Sequence, residues 1–143
     1  MTREWSLAFG DDHGVEGSLH LTVADGPAPS ATFEASLALP DTGYVLVRDD
    51  DLASPRGSLL QVRGDGLWAE LVCETPGEHW SIGLEAFGLR FADEAEARVT
   101  DRGERVAIGF DLEWEAPGTV FGEILLGARR LAFDGRGTFS GPA

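Results

Sequence analysis

The side chains of this chain that could do chemistry are few and lie far apart. His13, His20 and His79 are the three histidines, and none stands at a metal-ligand spacing from another or from Cys73. No metal site is expected. His79 precedes Trp80 at the start of an alternating run, where the rim of a barrel would place it. Carboxylates are the stronger candidates. Asp111, Glu113 and Glu115 alternate with Phe110, Leu112 and Trp114, so an extended strand puts the acids on one face and the apolar side chains on the other. Such a row is either the wet face of a one-sided sheet or a polar ring inside a barrel, able to hold a proton-transfer pair. Glu85 shares its parity with Phe87, Leu89 and Phe91, and Glu123 shares its own with Phe121 and Leu125. A carboxylate on an apolar face has to be paired, protonated or at an edge. The structural outcome is an ion pair with an arginine such as Arg129 or Arg130; the catalytic outcome makes Glu85 an acid or base. Cys73 lies in the apolar run Leu71-Val72-Cys73 and reads as a packed thiol rather than a nucleophile. No Gly-x-Ser-x-Gly elbow, phosphate loop or dinucleotide fingerprint is present, and no cofactor is expected.

The elements that must position these residues are strands. Nineteen glycines and seven prolines punctuate short runs of period-two alternation, the pattern of an all-β sandwich or barrel. Strands are predicted around Trp5–Phe9, Val15–Val23, Phe33–Leu39, Tyr44–Val47, Ser58–Arg63, Leu67–Glu74, His79–Phe91, Val106–Glu115, Thr119–Leu126 and Arg130–Asp134. Asp49-Asp50-Asp51 through Gly57 reads as a loop. Gly64-Asp65-Gly66 is a hairpin turn. Asp93 and Glu96 have capping-box spacing, so one helical turn is predicted over Asp93–Arg98. No longer amphipathic helix is present, and short connections imply antiparallel neighbours in a meander.

Bulk composition narrows the partners. A chain of 143 residues is read as one domain, 1–143. At this length folding buries about 68–70% of the surface of the unfolded chain, enough for a real core. Asp and Glu total 25 against 11 basic residues, all arginine, for a formal net charge of -14. That field repels phosphates, so neither nucleic acid nor an anionic membrane is an expected partner. A single cysteine cannot form an internal disulfide, and the start of the chain lacks the apolar segment of a signal peptide. No run approaches the length of a membrane helix. A cytoplasmic location is expected.

Several of these segments also resemble a known group. They are Arg3-Glu4-Trp5-Ser6-Leu7, Gly66-Leu67-Trp68-Ala69-Glu70 with Cys73-Glu74, Glu78 to Gly88, Gly109 to Glu115, Gly122 to Gly127, and Phe133-Asp134-Gly135. Together they resemble the N-terminal half of bacterial two-domain proteins of actinobacterial type, related to the AttH-like and hydroxyneurosporene-synthase (carotenoid hydratase) group. The resemblance implies a calycin-type, lipocalin-like barrel. Better-understood relatives hydrate or cyclise terpenoid or polyketide-like molecules in a cavity that uses both halves. This chain departs from that pattern at Gly135–Ala143, where longer relatives continue into a second barrel.

The expectation is therefore an all-β antiparallel lipocalin-like barrel, or strongly curved sandwich, of roughly ten strands. The leading function is noncatalytic: binding an apolar small molecule, with Trp68, Trp80, Phe87 and Trp114 lining the site, or pairing with a partner or a second copy as a homodimer. The alternative is an enzyme of the hydratase, isomerase or cyclase kind with Glu85, Asp111 or His79 as proton donors. A third reading is a truncated half-protein without independent activity.

Overall fold

The computed structural model describes residues 1–143. Ten strands and one helical turn follow in order: β1 (Thr2–Gly10), β2 (Glu16–Ala24), β3 (Ser30–Leu39), β4 (Gly43–Leu52), β5 (Leu60–Gly64), β6 (Leu67–Thr75), β7 (His79–Phe91), α1 (Glu94–Val99), β8 (Glu104–Glu115), β9 (Thr119–Leu126) and β10 (Arg129–Ser140). They form one antiparallel sheet in the order β4-β3-β2-β1-β10-β9-β8-β7-β6-β5. A further pairing of β4 with β7 closes eight of the ten into a ring. The β5–β6 hairpin continues the sheet beyond β7.

Closure depends on the length of β7. One edge of this 13-residue strand lies against β8 along nearly its whole course. The other edge is divided. His79–Ala86 pair with β6, and Leu89–Phe91 pair with Tyr44–Leu46 of β4. A single long strand thus carries the hairpin at one end and shuts the ring at the other.

The alternation in the sequence drives this closure, because each strand has one apolar face to bury. The inward side chains merge into one cluster of 30 buried apolar residues, and no polar or charged residue is buried. Aromatic rings fill the interior. Phe9 meets Phe110 and Phe133 edge to face, at centroid distances of 5.4 and 5.2 Å. Phe139 stacks on Trp80 at 4.5 Å and leans on Trp114 at 5.7 Å. The indole N–H of Trp114 donates to the Gly137 carbonyl at 3.1 Å, and that of Trp5 donates to the Pro142 carbonyl at 2.6 Å. The polar tips of these large rings are therefore satisfied beside the core. Side chains can fill the whole interior of a ring of eight strands.

Two segments differ from their sequence reading. The acidic run Asp49–Asp51 is strand, not loop, and ends on the buried Leu52. The β3–β4 register slips here, setting Ala31 against Leu52 but Phe33 against Asp49, so an irregular ladder hides the alternation. The last strand does not stop at Asp134. It runs to Ser140, and Arg136–Ser140 pair with Ser6–Gly10 to join β10 to β1. Gly135 and Gly137 look like turn residues but serve close packing. A Cβ on Gly135 would strike the Gly10 carbonyl, and one on Gly137 would crowd the Ala8 carbonyl and Val120.

The helical turn sits where predicted. Asp93 accepts a hydrogen bond from the Glu96 N–H at 2.9 Å, and Glu96 accepts one from the Ala92 N–H at 3.3 Å. No helix is long and apolar enough to cross a membrane.

Candidate functional site

The nominated residues separate by strand parity. On β7 the inward set is Trp80, Ile82, Leu84 and Ala86; on β8 it is Ile108, Phe110, Leu112 and Trp114. The register locks the two sets together, pairing Trp80 with Trp114, Ile82 with Leu112 and Leu84 with Phe110. Trp80 (2% exposed) and Trp114 (8%) are core residues packed against Phe139. Trp68 and Phe87 face the opposite way, and Phe87 is 52% exposed. The four aromatics therefore do not line one cavity.

Glu85 also lies on the outside and is exposed, which corrects the expectation that it sits on a core-facing row. The row Phe87–Leu89–Phe91 misleads because it is apolar yet outward: the β7–β8 register runs without a shift from His79 to Arg90, so Glu85 and this row keep the outer face. Leu84 and Ala86 point inward and the buried Gly88 backs onto Val45 and Val47, whereas Phe91 pairs with the outer Tyr44 and is buried outside the core cluster. The β8 pattern was unambiguous. Carrying its face across an in-register antiparallel pair would have turned Glu85 outward.

His79 is on the outer side too, at the other end of β7. Its Nε2 lies 2.6 Å from Glu113 Oε1. Ser81 donates towards the same oxygen at 2.9 Å and towards Glu74 at 3.0 Å. The serine bonds to carboxylates rather than to the imidazole, so these groups do not form a nucleophile–base pair. His20 lies 3.5 Å from Glu4, and no three His, Cys, Asp or Glu side chains converge as a metal ligand set. Cys73 is half-buried against the core.

Glu85 and Asp111 do come together beside Trp68, and Phe87 stands on the other side of Glu85. Antiparallel pairing lines up Trp68, Glu85, Gly109, Leu125 and Arg130 in one row across β6 to β10. The next row on the same face runs Glu70, Gly83, Asp111, Glu123 and Ala132. Glycines at 83 and 109 lower the wall between bulkier neighbours. The Trp68 ring lies over Gly83, where a Cβ would come within 2.9 Å of it, and Leu125 leans over Gly109. Strand glycines of this kind mark a close approach.

The result is a pair of adjoining clefts that share Glu85 and Leu125. One, of about 310 Å³, is lined mainly by Phe87, Ala107, Gly109 and Leu125 and is largely apolar. The other, of about 340 Å³, is bordered by Trp68, Gly83, Glu85, Asp111, Glu123 and Arg130. Arg130 donates to Glu123 at 3.1 Å, the arginine–carboxylate pairing expected from the sequence, though solvent-exposed. Glu85 and Asp111 have no such partner. Arg105 lies over the Phe87 ring at 4.1 Å, within cation–π range.

A second outer cleft, of about 380 Å³, lies between α1 and the wall of β2–β4. Ser18 and Ser36 hydroxyls meet there at 2.6 Å beside Tyr44. Burial raises the Tyr44 pKa above its usual 10.0, and Glu94 and Glu34 add to the rise against the hydrogen bond from Ser36 and the charge of Arg98. Sequence reading missed this cleft, since its hydroxyls meet only through pairing.

The chain is thus an all-β, barrel-like protein with a filled interior and clefts on its outer wall. Comparison with protein-family models, with curated proteins and with solved structures finds no match.

Proposed function

We propose that this protein is a noncatalytic, lipocalin-like module that binds an apolar small molecule on its outer wall rather than inside the ring. The observation that carries the reading is the apolar cleft of Phe87, Ala107, Gly109 and Leu125, set beside an interior already occupied by aromatic side chains. Small-molecule sites are concave and mostly apolar with a few placed polar groups, and this cleft has that composition. A cytoplasmic setting accords with the free Cys73. The enzyme alternative, a hydratase, isomerase or cyclase, has less support. Glu85 and Asp111 are both open to water, and His79 is held by Glu113 at the far end of β7. A neutral apolar dye, Nile red, tests the binding reading. Saturable fluorescence gain is expected, with loss in Leu125→Ser and Phe87→Ser. Absence of saturable binding, or binding indifferent to both substitutions, contradicts it.

A further inference from the structure

We infer that the ligand of this cleft is an amphipathic organic cation, an amine with an apolar tail, whose charged head sits beside Trp68 between Glu85 and Asp111. This rests on the binding reading above and names the chemistry of its ligand. The two adjoining clefts differ in character. The Phe87–Leu125 side offers apolar surface. The Trp68 side carries three carboxylates, Glu85, Asp111 and Glu123, against one cation, Arg130. Arg130 is committed to Glu123, so Glu85 and Asp111 are left without a counter-charge.

An aromatic ring next to unpaired carboxylates is the pairing that recognises ammonium groups, through cation–π attraction and direct charge. The wall already uses this chemistry once. Arg105 lies over Phe87 at 4.1 Å, which leaves Trp68 as the aromatic of the acidic side. The net charge of -14 concentrates cations around the whole molecule and repels anionic ligands. Length follows from strand geometry. From the Asp111–Gly83 row to the Phe87–Ala107 row is four residues along β7, about 13 Å. A tail of roughly that reach would span from the acidic side to the apolar one. A bare metal ion would leave the apolar side empty, and a neutral hydrocarbon would leave the carboxylates unused.

Three probes with one tail and different heads provide the test: octyltrimethylammonium, octanol and octanoate, measured by calorimetry at low salt below their aggregation concentrations. The cation is expected to bind about tenfold tighter than the alcohol, the scale of two carboxylates acting through a largely aqueous setting. Octanoate should bind weakest, and the preference should shrink with added salt. Glu85→Gln with Asp111→Asn should bring the cation to within about twofold of the alcohol. Glu34→Gln, on the opposite wall, should leave the preference intact. Both acids in the double variant are exposed, so it should keep the parent's thermal midpoint.

Equal affinity for cation and alcohol would overturn the inference and leave the apolar-binding reading standing. So would tighter binding of octanoate. A preference lowered as much by Glu34→Gln as by the double variant would trace it to overall charge and also overturn the inference. Failure of all three probes to bind, or probe binding replaced by pairing of two copies in sedimentation, would remove both readings.

Discussion

The inner and outer faces of the wall built by β6–β10 share aromatic and aliphatic side chains but do different work. On the inner face Trp80, Trp114, Phe110, Ile82 and Leu112 interlock with Phe139 and Phe9, and no polar residue is buried among them. On the outer face Trp68 and Phe87 stand among Glu85, Asp111, Glu123, Arg105 and Arg130. The inner face offers no group that can exchange a proton or hold a polar ligand. The outer face has carboxylates without counter-charges beside rings that are not fully covered. Aromatic content alone therefore does not mark a ligand cavity; what matters is whether the next strand brings another ring or a charge.

The contrast breaks most readily in the core. Trp114→Ala should cost about 3–5 kcal/mol, the usual range for truncating a buried aromatic. It would remove one of the two rings packed on Phe139 and the indole donor to the Gly137 carbonyl. A denaturation midpoint equal to the parent's would mean that the two faces are reversed.

Gly122→Ala should come next, at about 1–3 kcal/mol. Gly122 has φ +142°, and a Cβ there would strike the Asp111 carbonyl. The β8–β9 ladder would have to shift, disturbing both faces at once. Loss of amide-exchange protection centred on Leu112 and Phe121 checks this.

Phe87→Ala, on the outer wall, should cost less than about 1 kcal/mol, since the ring is half exposed and its partner is the exposed Arg105. A loss as large as that for Trp114→Ala would show the outer wall to be structural rather than a binding surface.

The smallest effect belongs to the opposite wall and appears only in alkali. The chain has one tyrosine, so phenolate absorbance reports Tyr44 alone. Its midpoint should lie above 10.0 in the folded protein, mainly because burial disfavours the phenolate. Because the folded value is the higher one, the related stability is intact below the unfolded pKa and is lost as pH rises through the folded pKa. Glu94→Gln should lower the midpoint. A native midpoint equal to that in denaturant would remove this cleft's claim to be sheltered.

Much of the architecture was legible because alternation is a local signal. All ten strands, the turn at Gly64–Gly66 and the Asp93–Glu96 cap follow from residue types within a few positions. The inward placement of Trp114 followed in the same way from four alternating apolar neighbours. What escaped was whatever depended on pairing. Glu85 was placed on the wrong face because its outward row, Phe87–Leu89–Phe91, is itself apolar, and only pairing with β8 shows which face is the core. The Gly135–Ser140 stretch looked like a tail because its glycines are explained only by the Gly10 and Ala8 backbone across the ladder. The cleft has the same origin. Trp68, Glu85, Gly109 and Leu125 come from four strands and meet only by register.

The indole N–H resonances of the four tryptophans test most directly the claim that binding belongs to the outer wall and not to the interior. Trp5 and Trp114 hold their N–H groups in hydrogen bonds beside the core, Trp80 is buried, and Trp68 borders the acidic cleft. During titration with octyltrimethylammonium, followed by nitrogen–proton NMR, the Trp68 signal should move saturably. The backbone signals of Gly83 and Gly109 should move with it, while Trp5, Trp80 and Trp114 stay in place. Saturable shifts at Trp80 and Trp114 with Trp68 unmoved would put the ligand inside the ring and contradict the outer-wall site.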